Sequence, residues 1–380
     1  MTSQLSVFST LIQEYPTWAS LSEALLAKHL RLIPCTDEHV IVRYVKEVTD
    51  LTDEVCRAFR SVVWNTLTNR PVCMAPAKAV SGSPPPGKSL FVSNFVDGVM
   101  INVWCERDGQ IHIASRSSYG AESNFYSPKS FALLFEEALG KSPQVFFAPL
   151  LKRGEFVNCV FTHPEHRTVK HHQIPAVYVV GMGSVSDTGD ITLSWKYDDW
   201  PEALRSFYPT LFSFVNDMTF ESPEKIQELL TSFAADSEWQ GIMFQDPSST
   251  ARWRLRNPSY TLLRTLRGSE SDPARRFLRL RGSGQVKQYL AVFREESQLF
   301  WDFESALRRA TKMLAYAYTD VQKLKTKSFQ DLAFALRPHV YALHGQYLKT
   351  SSPIQIDTVI RYVNSLGVDQ QVQLLSLKVR

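Results

Sequence analysis

The 380-residue chain has little of what would place it in several broad classes. It has five cysteines, Cys35, Cys56, Cys73, Cys105 and Cys159, far apart and without a C-x-x-C pair. An odd count at wide spacing argues against a disulfide framework and against a zinc site, and a reducing, intracellular compartment is the expectation. No run of about 18 apolar residues occurs, so neither a transmembrane helix nor a membrane partner is expected. The opening MTSQLSVFSTLIQEYP has no basic segment and no sustained apolar core, which argues against a signal peptide. No internal repeat is visible. What is there is ordinary globular composition, 44% hydrophobic and 21% charged, enough to build real cores. The length suits two or three domains.

The net charge of +4 is unevenly placed. Between Ala251 and Leu290 stand ten basic residues against Glu270 and Asp272. That window carries +8, which leaves −4 for the rest of the chain. Arginine density of this kind suits phosphate groups of a nucleotide or nucleic acid, and equally a solvated helical surface. Arg252, Arg264, Arg267, Arg275 and Arg276 are the candidate nucleic-acid contacts.

The pattern along the chain predicts an α+β protein. Residues up to about 35 read as helical, with apolar spacing of three and four in LSEALLAKHLRL. From about 39 to 120, short β-branched or aromatic runs (HVIVRYV, RSVVWN, PVCMA, LFVSNFV, VMINVWC, QIHIASR) are split by turn residues. A helix follows in SPKSFALLFEEAL, with Ser127 as N-cap and Pro128 at its first position. Strands return in EFVNCVFTH, AVYVVGMGSV and DITLSW, then a helix from Ser222. QGIMFQ and ARWRLR, joined by DPSST, read as a hairpin. Beyond Asn257 the chain is nearly all helical. The expected organisation is an antiparallel-sheet domain over 1–257, with a helical extension to about 35, then a helical domain over 258–380.

Three local motifs invite chemistry. GSPPPGKS at 82–89 matches the phosphate-loop pattern, but three prolines lack N–H groups and a strand, not a helix, follows, so the match is rejected. HPEHRTVKHH at 163–172 groups four histidines, with only Glu165 as a carboxylate, and reads as a surface loop rather than a metal site. In RWRLRNPSY, strand alternation puts Arg252, Arg254 and Arg256 on one face, where they repel one another unless an anion or acidic partner is present. Asp97-Gly98, alone, reads as a hairpin turn.

Taken in order, six segments resemble the nucleotidyltransferase domain of ATP-dependent RNA ligases of the phage T4 RNA ligase 1 type, in particular the divergent copies of large eukaryotic DNA viruses. They are RSVV with Arg60; Phe95-Val96-Asp97-Gly98; ASRSS with Ser115 and Arg116; Cys159-Val160 leading to Pro164-Glu165-His166-Arg167; Gln240-Gly241-Ile242-Met243; and Arg254-Leu255-Arg256 with Tyr260 four residues on. The resemblance covers roughly residues 50–265, and the helical tail fits the extra domain of such ligases. It implies a ligase-like fold in which Arg60, Phe95, Asp97, Gly98, Arg116, Gln240, Arg254 and Arg256 face a nucleotide.

The departures imply a degenerate enzyme. In the family a lysine attacks the α-phosphate of ATP; Phe95 has no amine to do so. The carboxylate of the strand before Pro164 falls on Val160, and the metal-holding Glu on Gln240. The last lysines are arginines, which keep charge but change geometry. No catalytic residue of the family is intact and no metal set is expected. ATP with Mg is the cofactor only if activity remains, through Lys78 or Lys88 as a relocated nucleophile or Glu238 as a relocated carboxylate. The expected partner is RNA or another polyanion, with protein partners open to the helical domain. The resemblance sets the location as cytoplasm or viral factory, with the virion as alternative; a scaffolding role is the third reading.

Overall fold

The computed structural model of the chain describes residues 2–87, 89–195, 197–207, 217–219, 228, 230–232 and 236–377. It divides into two compact units, Met1–Arg264 and Thr265–Arg380. The division lies inside the helix Pro258–Arg267, past the join expected near residue 257.

The first unit carries fifteen strands among the described residues: β1 (Thr2–Leu5), β2 (Leu30–Pro34), β3 (His39–Tyr44), β4 (Val62–Asn65), β5 (Arg70–Met74), β6 (Val80–Ser81), β7 (Ser89–Asn94), β8 (Val99–Cys105), β9 (Ile111–Ser115), β10 (Glu155–Thr162), β11 (Ala176–Val185), β12 (Ile191–Ser194), β13 (Asp217–Thr219), β14 (Gly241–Gln245) and β15 (Arg252–Arg256). They form three sheets, ordered β1-β12-β11-β10-β8-β9, β13-β7-β14-β15-β6 and β2-β3-β4-β5. Pairing is antiparallel except for the two-residue β6–β15 contact. The fold class is α+β with antiparallel sheets and a helical C-terminal region, as the sequence predicts.

The six-stranded sheet is buried on both faces, which is why β8 and β10 read as near-continuous apolar runs. Alternate residues serve different cores: Trp104 and Phe156 pack with Phe8, Phe59 and Trp64, while Ile101, Val103, Val157 and Phe161 pack with Leu134, Phe135 and Phe147. The four-stranded sheet and the helices Val7–Glu14 and Trp18–Ala27 close the first core. A smaller core of Leu90, Val92, Ile242 and Phe244 backs the five-stranded sheet.

Three local readings change. The N-terminal stretch is not helical throughout: Thr2–Leu5 pairs with β12 and Leu30–Pro34 with β3, because edge strands there needed partners that helical spacing could not reveal. The helix after residue 127 starts later, at Phe131, with Ser130 as the N-cap that accepts from the Leu133 N–H. Ser127 instead accepts from the Lys129 N–H. Asp97-Gly98 is no hairpin turn, because β7 and β8 belong to different sheets and residues 95–98 carry the chain between them. The QGIMFQ–ARWRLR hairpin forms as read, with β14 and β15 antiparallel. The helix expected from Ser222 falls largely outside the described residues, as does Lys88.

The second unit is helical: Pro273–Gly282, Val286–Val292, Ser297–Tyr318, Arg337–Thr350, Ile356–Ser365 and Val368–Leu375 surround a core that includes Phe277, Phe300, Leu314, Val340 and Val363. The segment from Ser328 forms only short turns before the helix at Arg337, with Pro338 in that helix's first turn. No helix among the described residues is long and apolar enough to cross a membrane.

Candidate functional site

The five-stranded sheet turns one face to the six-stranded sheet, and a cavity of about 340 Å³ lies there. Register builds its floor. Phe91 and Ser93 on β7 stand opposite Gln245 and Met243 on β14, which stand opposite Arg252 and Arg254 on β15. Same-face neighbours across strands are in contact range, so three strands present one continuous surface. Met100, Val160 and Val180 of the six-stranded sheet line the other side.

Six cations line the cavity: Lys46, Arg60, Lys78, Arg116, Arg252 and Arg254. Among the described residues its lining contains no aspartate or glutamate. Neutral groups hold the cations in place. Arg60 donates to the Pro76 carbonyl at 3.0 Å, Arg252 to that of Ala77 at 3.2 Å, and Arg254 to the Ser81 hydroxyl at 3.2 Å. Lys78 and Arg116 each lie 5.3 Å from the centre of the Tyr44 ring, a cation–π distance. Arg252 lies over Trp195. Lys46, at the exposed edge, is ion-paired with Glu47. Burial, with Arg116 and Arg254 close by, holds Arg60 below the usual arginine range. Burial, with Arg254 beside it, does the same to Arg256. In both, burial is the larger cause and the neighbouring guanidinium groups add to it. Two buried polar atoms at the cavity, Gln245 Oε1 and Trp195 Nε1, have no hydrogen-bond partner among the described residues.

Phe95 stands at the edge of this cavity. Its N–H donates to the Gly241 carbonyl, and the Arg256 guanidinium lies 5.2 Å from its ring centre. Asp97 and Gly98 do something else. One Asp97 oxygen accepts from the N–H groups of Val169 at 3.0 Å and Lys170 at 2.9 Å, so the carboxylate, only 9% exposed, pins the 163–172 loop. Burial and the nearby Asp97 carboxylate push the Tyr260 hydroxyl far above its usual range. Gly98 leaves no room for a side chain, since a Cβ would lie 2.2 Å from the Phe161 carbonyl oxygen.

Of the residues the resemblance implies, Arg60, Phe95, Arg116 and Arg254 share the cavity lining; Arg252, expected to touch nucleic acid, joins them. Asp97 and Gln240 line a neighbouring cavity of about 290 Å³, which shares Asn94, Phe95 and Val96 with the first. Gln240 is buried there, its Oε1 without a partner among the described residues. Glu238, the suggested replacement carboxylate, lines that second cavity and is ion-paired with Arg167 at 2.9 Å. Lys78 does reach the cationic cavity. Tyr44, Lys46 and Trp195 carried no local signal; only the fold brings them in.

Two of the helical arginines are buried and the others are held by neighbours. Arg267 and Arg276, 3% and 1% exposed, are ion-paired with Glu296. Arg267 also donates to the Tyr289 hydroxyl. Arg275 meets Asp369 at 2.6 Å and Asp272 at 3.8 Å. Arg264 donates to the Tyr126 hydroxyl. Two of these acids, Glu296 and Asp369, lie outside the 251–290 window, so the +8 count overstated what reaches solvent. Arg267 and Arg276, expected as nucleic-acid contacts, stand buried in ion pairs with Glu296.

Among the described residues no metal set emerges at the cationic cavity, whose side-chain donors are cationic, amide, hydroxyl and thioether groups. Within the four-histidine segment, His163 does come close to Glu137 and Glu165. The Lys129 ammonium already bridges the two carboxylates at 2.9 and 2.7 Å. His163 Nδ1 accepts from the Glu165 N–H, which leaves the Nε2 proton facing Glu137 at 3.0 Å. A metal ion would have to displace that ammonium and reverse that tautomer. After the proline-rich 82–87 loop comes β7, a strand, so the helix N-terminus a phosphate loop needs is absent there.

No protein-family model matches the chain, and no curated protein matches its sequence. Solved structures of ATP-dependent ligases are similar in fold at low identity. An archaeal ATP-dependent RNA ligase, form 2, is 13% identical with a TM-score of 0.45, over 71% of this chain and 68% of that one. Form 1 of an archaeal ATP-dependent RNA ligase is 13% identical with a TM-score of 0.43, over 77% and 73%. A provisionally assigned ATP-dependent DNA ligase from Aquifex aeolicus is 15% identical with a TM-score of 0.39, over 73% and 71%. Likeness at this level says nothing about activity or substrate.

Proposed function

We propose that the chain is a non-catalytic relative of the ATP-dependent RNA ligases that binds nucleotide phosphates in the cationic cavity. One observation carries the reading. Each of the six segments that resemble the ligase motifs supplies a lining residue to a single cavity: Arg60, Phe95, Arg116, Val160, Met243 and Arg254. These segments span roughly 200 residues, and the fold gathers them around one cluster of cations. At the position of the attacking amine stands a phenyl ring, already stacked beneath Arg256. A ring forms no phosphoramidate, so the cavity can hold and orient phosphate but cannot take up AMP at that position. Incubation with α-labelled ATP and a divalent metal tests this. The expected result is no covalent adduct, together with measurable reversible binding that weakens in Arg254→Gln. An adduct lost in Lys78→Gln would instead support the active-ligase reading, which the presence of Lys78 in the lining favours.

A single-stranded RNA partner is supported by a different surface. On the helix Ser297–Tyr318, Trp301 and Tyr316 are 66% and 69% exposed, and Arg308, Arg309 and Lys312 are exposed between them. At 3.6 residues per turn, Trp301, Arg308, Lys312 and Tyr316 fall on one face. Exposed rings offer stacking to bases of any sequence, and the cations track the backbone. Filter binding across a salt series is expected to show affinity that falls with salt and drops in Trp301→Ala. Affinity insensitive to both would remove this reading.

A further inference from the structure

The donor set of the cavity points to how its ligand arrives. We propose that the cavity takes a triphosphate-bearing anion in its metal-free form, and that divalent cations weaken this binding. The inference rests on the phosphate-binding reading above.

Charge balance is the first reason. Six cations line the cavity, its lining holds no carboxylate among the described residues, and Glu47 pairs with Lys46 at the edge. A free triphosphate chain carries about four negative charges near pH 7, each inner phosphate about one and the terminal phosphate up to two. A bound Mg²⁺ cancels two of them. The fully charged chain therefore matches the cluster far better than the metal complex does.

Coordination is the second reason. Mg²⁺ demands octahedral oxygen ligands and is ordinarily anchored by one or two carboxylates beside the substrate phosphates. The nearest candidates here are committed elsewhere. Asp97 accepts from two backbone N–H groups, and Glu238 is ion-paired with Arg167; both line the neighbouring cavity. Asn94 Oδ1 accepts from the Trp239 indole. Gln245 Oε1 is a buried oxygen at the cavity without a partner among the described residues, and it is a single neutral ligand. A divalent ion carried in on the phosphates would meet guanidinium and ammonium groups and only neutral oxygens, with no carboxylate among the described lining residues to anchor it.

Arg60, Arg116 and Arg254 line the same cavity, so their mutual repulsion is relieved by added negative charge and worsened by an added dication. In this site a metal ion competes with the protein's cations for the same oxygens.

Isothermal titration of the full chain with ATP and, separately, with inorganic tripolyphosphate tests the proposal. Each ligand is measured in EDTA and in excess MgCl2, at ionic strength held constant with KCl. Binding in EDTA is expected to be tighter by about tenfold or more, which corresponds to about 1.4 kcal/mol. Arg254→Gln and Lys78→Gln, both at half-exposed positions, are expected to weaken the EDTA arm and shrink the difference. Comparable gains for both ligands show that the phosphate chain alone is read; a gain for ATP only shows that the nucleoside is read too, and either outcome supports metal-free binding. Equal or tighter affinity with Mg²⁺ overturns the inference while leaving the phosphate site standing. No heat with either ligand in either buffer overturns the phosphate-binding reading itself, and this inference with it.

Discussion

Asp97 separates two accounts of the FVDG segment. The resemblance to ligases implies that it faces a nucleotide; its hydrogen bonds make it the anchor of the 163–172 loop. Asp97→Ala removes the acceptor from the Val169 and Lys170 N–H groups, and Val169 is fully buried. A hydrogen bond to a charged group is worth about 1.5–3 kcal/mol, and a buried orphan N–H costs about 1–3 kcal/mol. Lys170 is only half-buried and can regain water, so the local loss should be about 2–4 kcal/mol. Asp97→Asn keeps an acceptor oxygen without its charge and should lose about 1–2 kcal/mol. Native-state hydrogen exchange at residues 169 and 170 reads this directly, because exchange through local opening follows the local free energy. Protection there should fall by roughly 30- to 1,000-fold in the Ala variant. Triphosphate affinity measured by titration should change much less. Protection within threefold of the parent, or affinity abolished with protection intact, would refute the anchoring argument and return Asp97 to the ligand.

Other outcomes follow from the same geometry. Gly98→Ala would set its Cβ 2.2 Å from the Phe161 carbonyl oxygen and 2.8 Å from Val160 Cγ1, so β10 must move; a stability loss of about 3 kcal/mol is expected, seen as a lower urea midpoint. Glu296→Gln removes the negative charge that two buried arginines and the Tyr289 hydroxyl share, and should destabilise the helical unit by about 3–5 kcal/mol in denaturant melts. Burial pushes Glu106 up, but the His39 hydrogen bond, the Trp104 N–H and His112 outweigh it and hold its carboxyl below the usual range. A carboxyl depressed in the folded state stabilises above its unfolded value of about 4.3 and loses that contribution as pH falls through the folded one. Urea midpoints of the parent should therefore drop on acidification below that value more steeply than those of Glu106→Gln; parallel curves would show that Glu106 contributes no such linkage.

Much of the fold was legible in local pattern. The β-branched runs of β3, β4, β8, β10 and β11 appear as strands because their alternation, or their unbroken apolar character, reports burial on one face or two. The β14–β15 hairpin was legible because its strands lie close in sequence and DPSST joins them. Edge strands β1 and β2 were not, because what makes Thr2–Leu5 a strand is β12, nearly 190 residues away.

The candidate site divides in the same way. Sequence alone determined that position 95 carries a phenyl ring and no amine, a matter of residue identity that no fold can alter. It also determined that Arg252, Arg254 and Arg256 share a strand face, which strand periodicity dictates. Only the tertiary structure decided where charge ends up. It brought Lys46, Lys78, Arg60 and Arg116 from four separate segments to the β15 arginines, and it buried Arg267 and Arg276 against Glu296. The reason is physical. Chemical identity belongs to the residue, but electrostatic environment is a sum over neighbours, and folding chooses the neighbours.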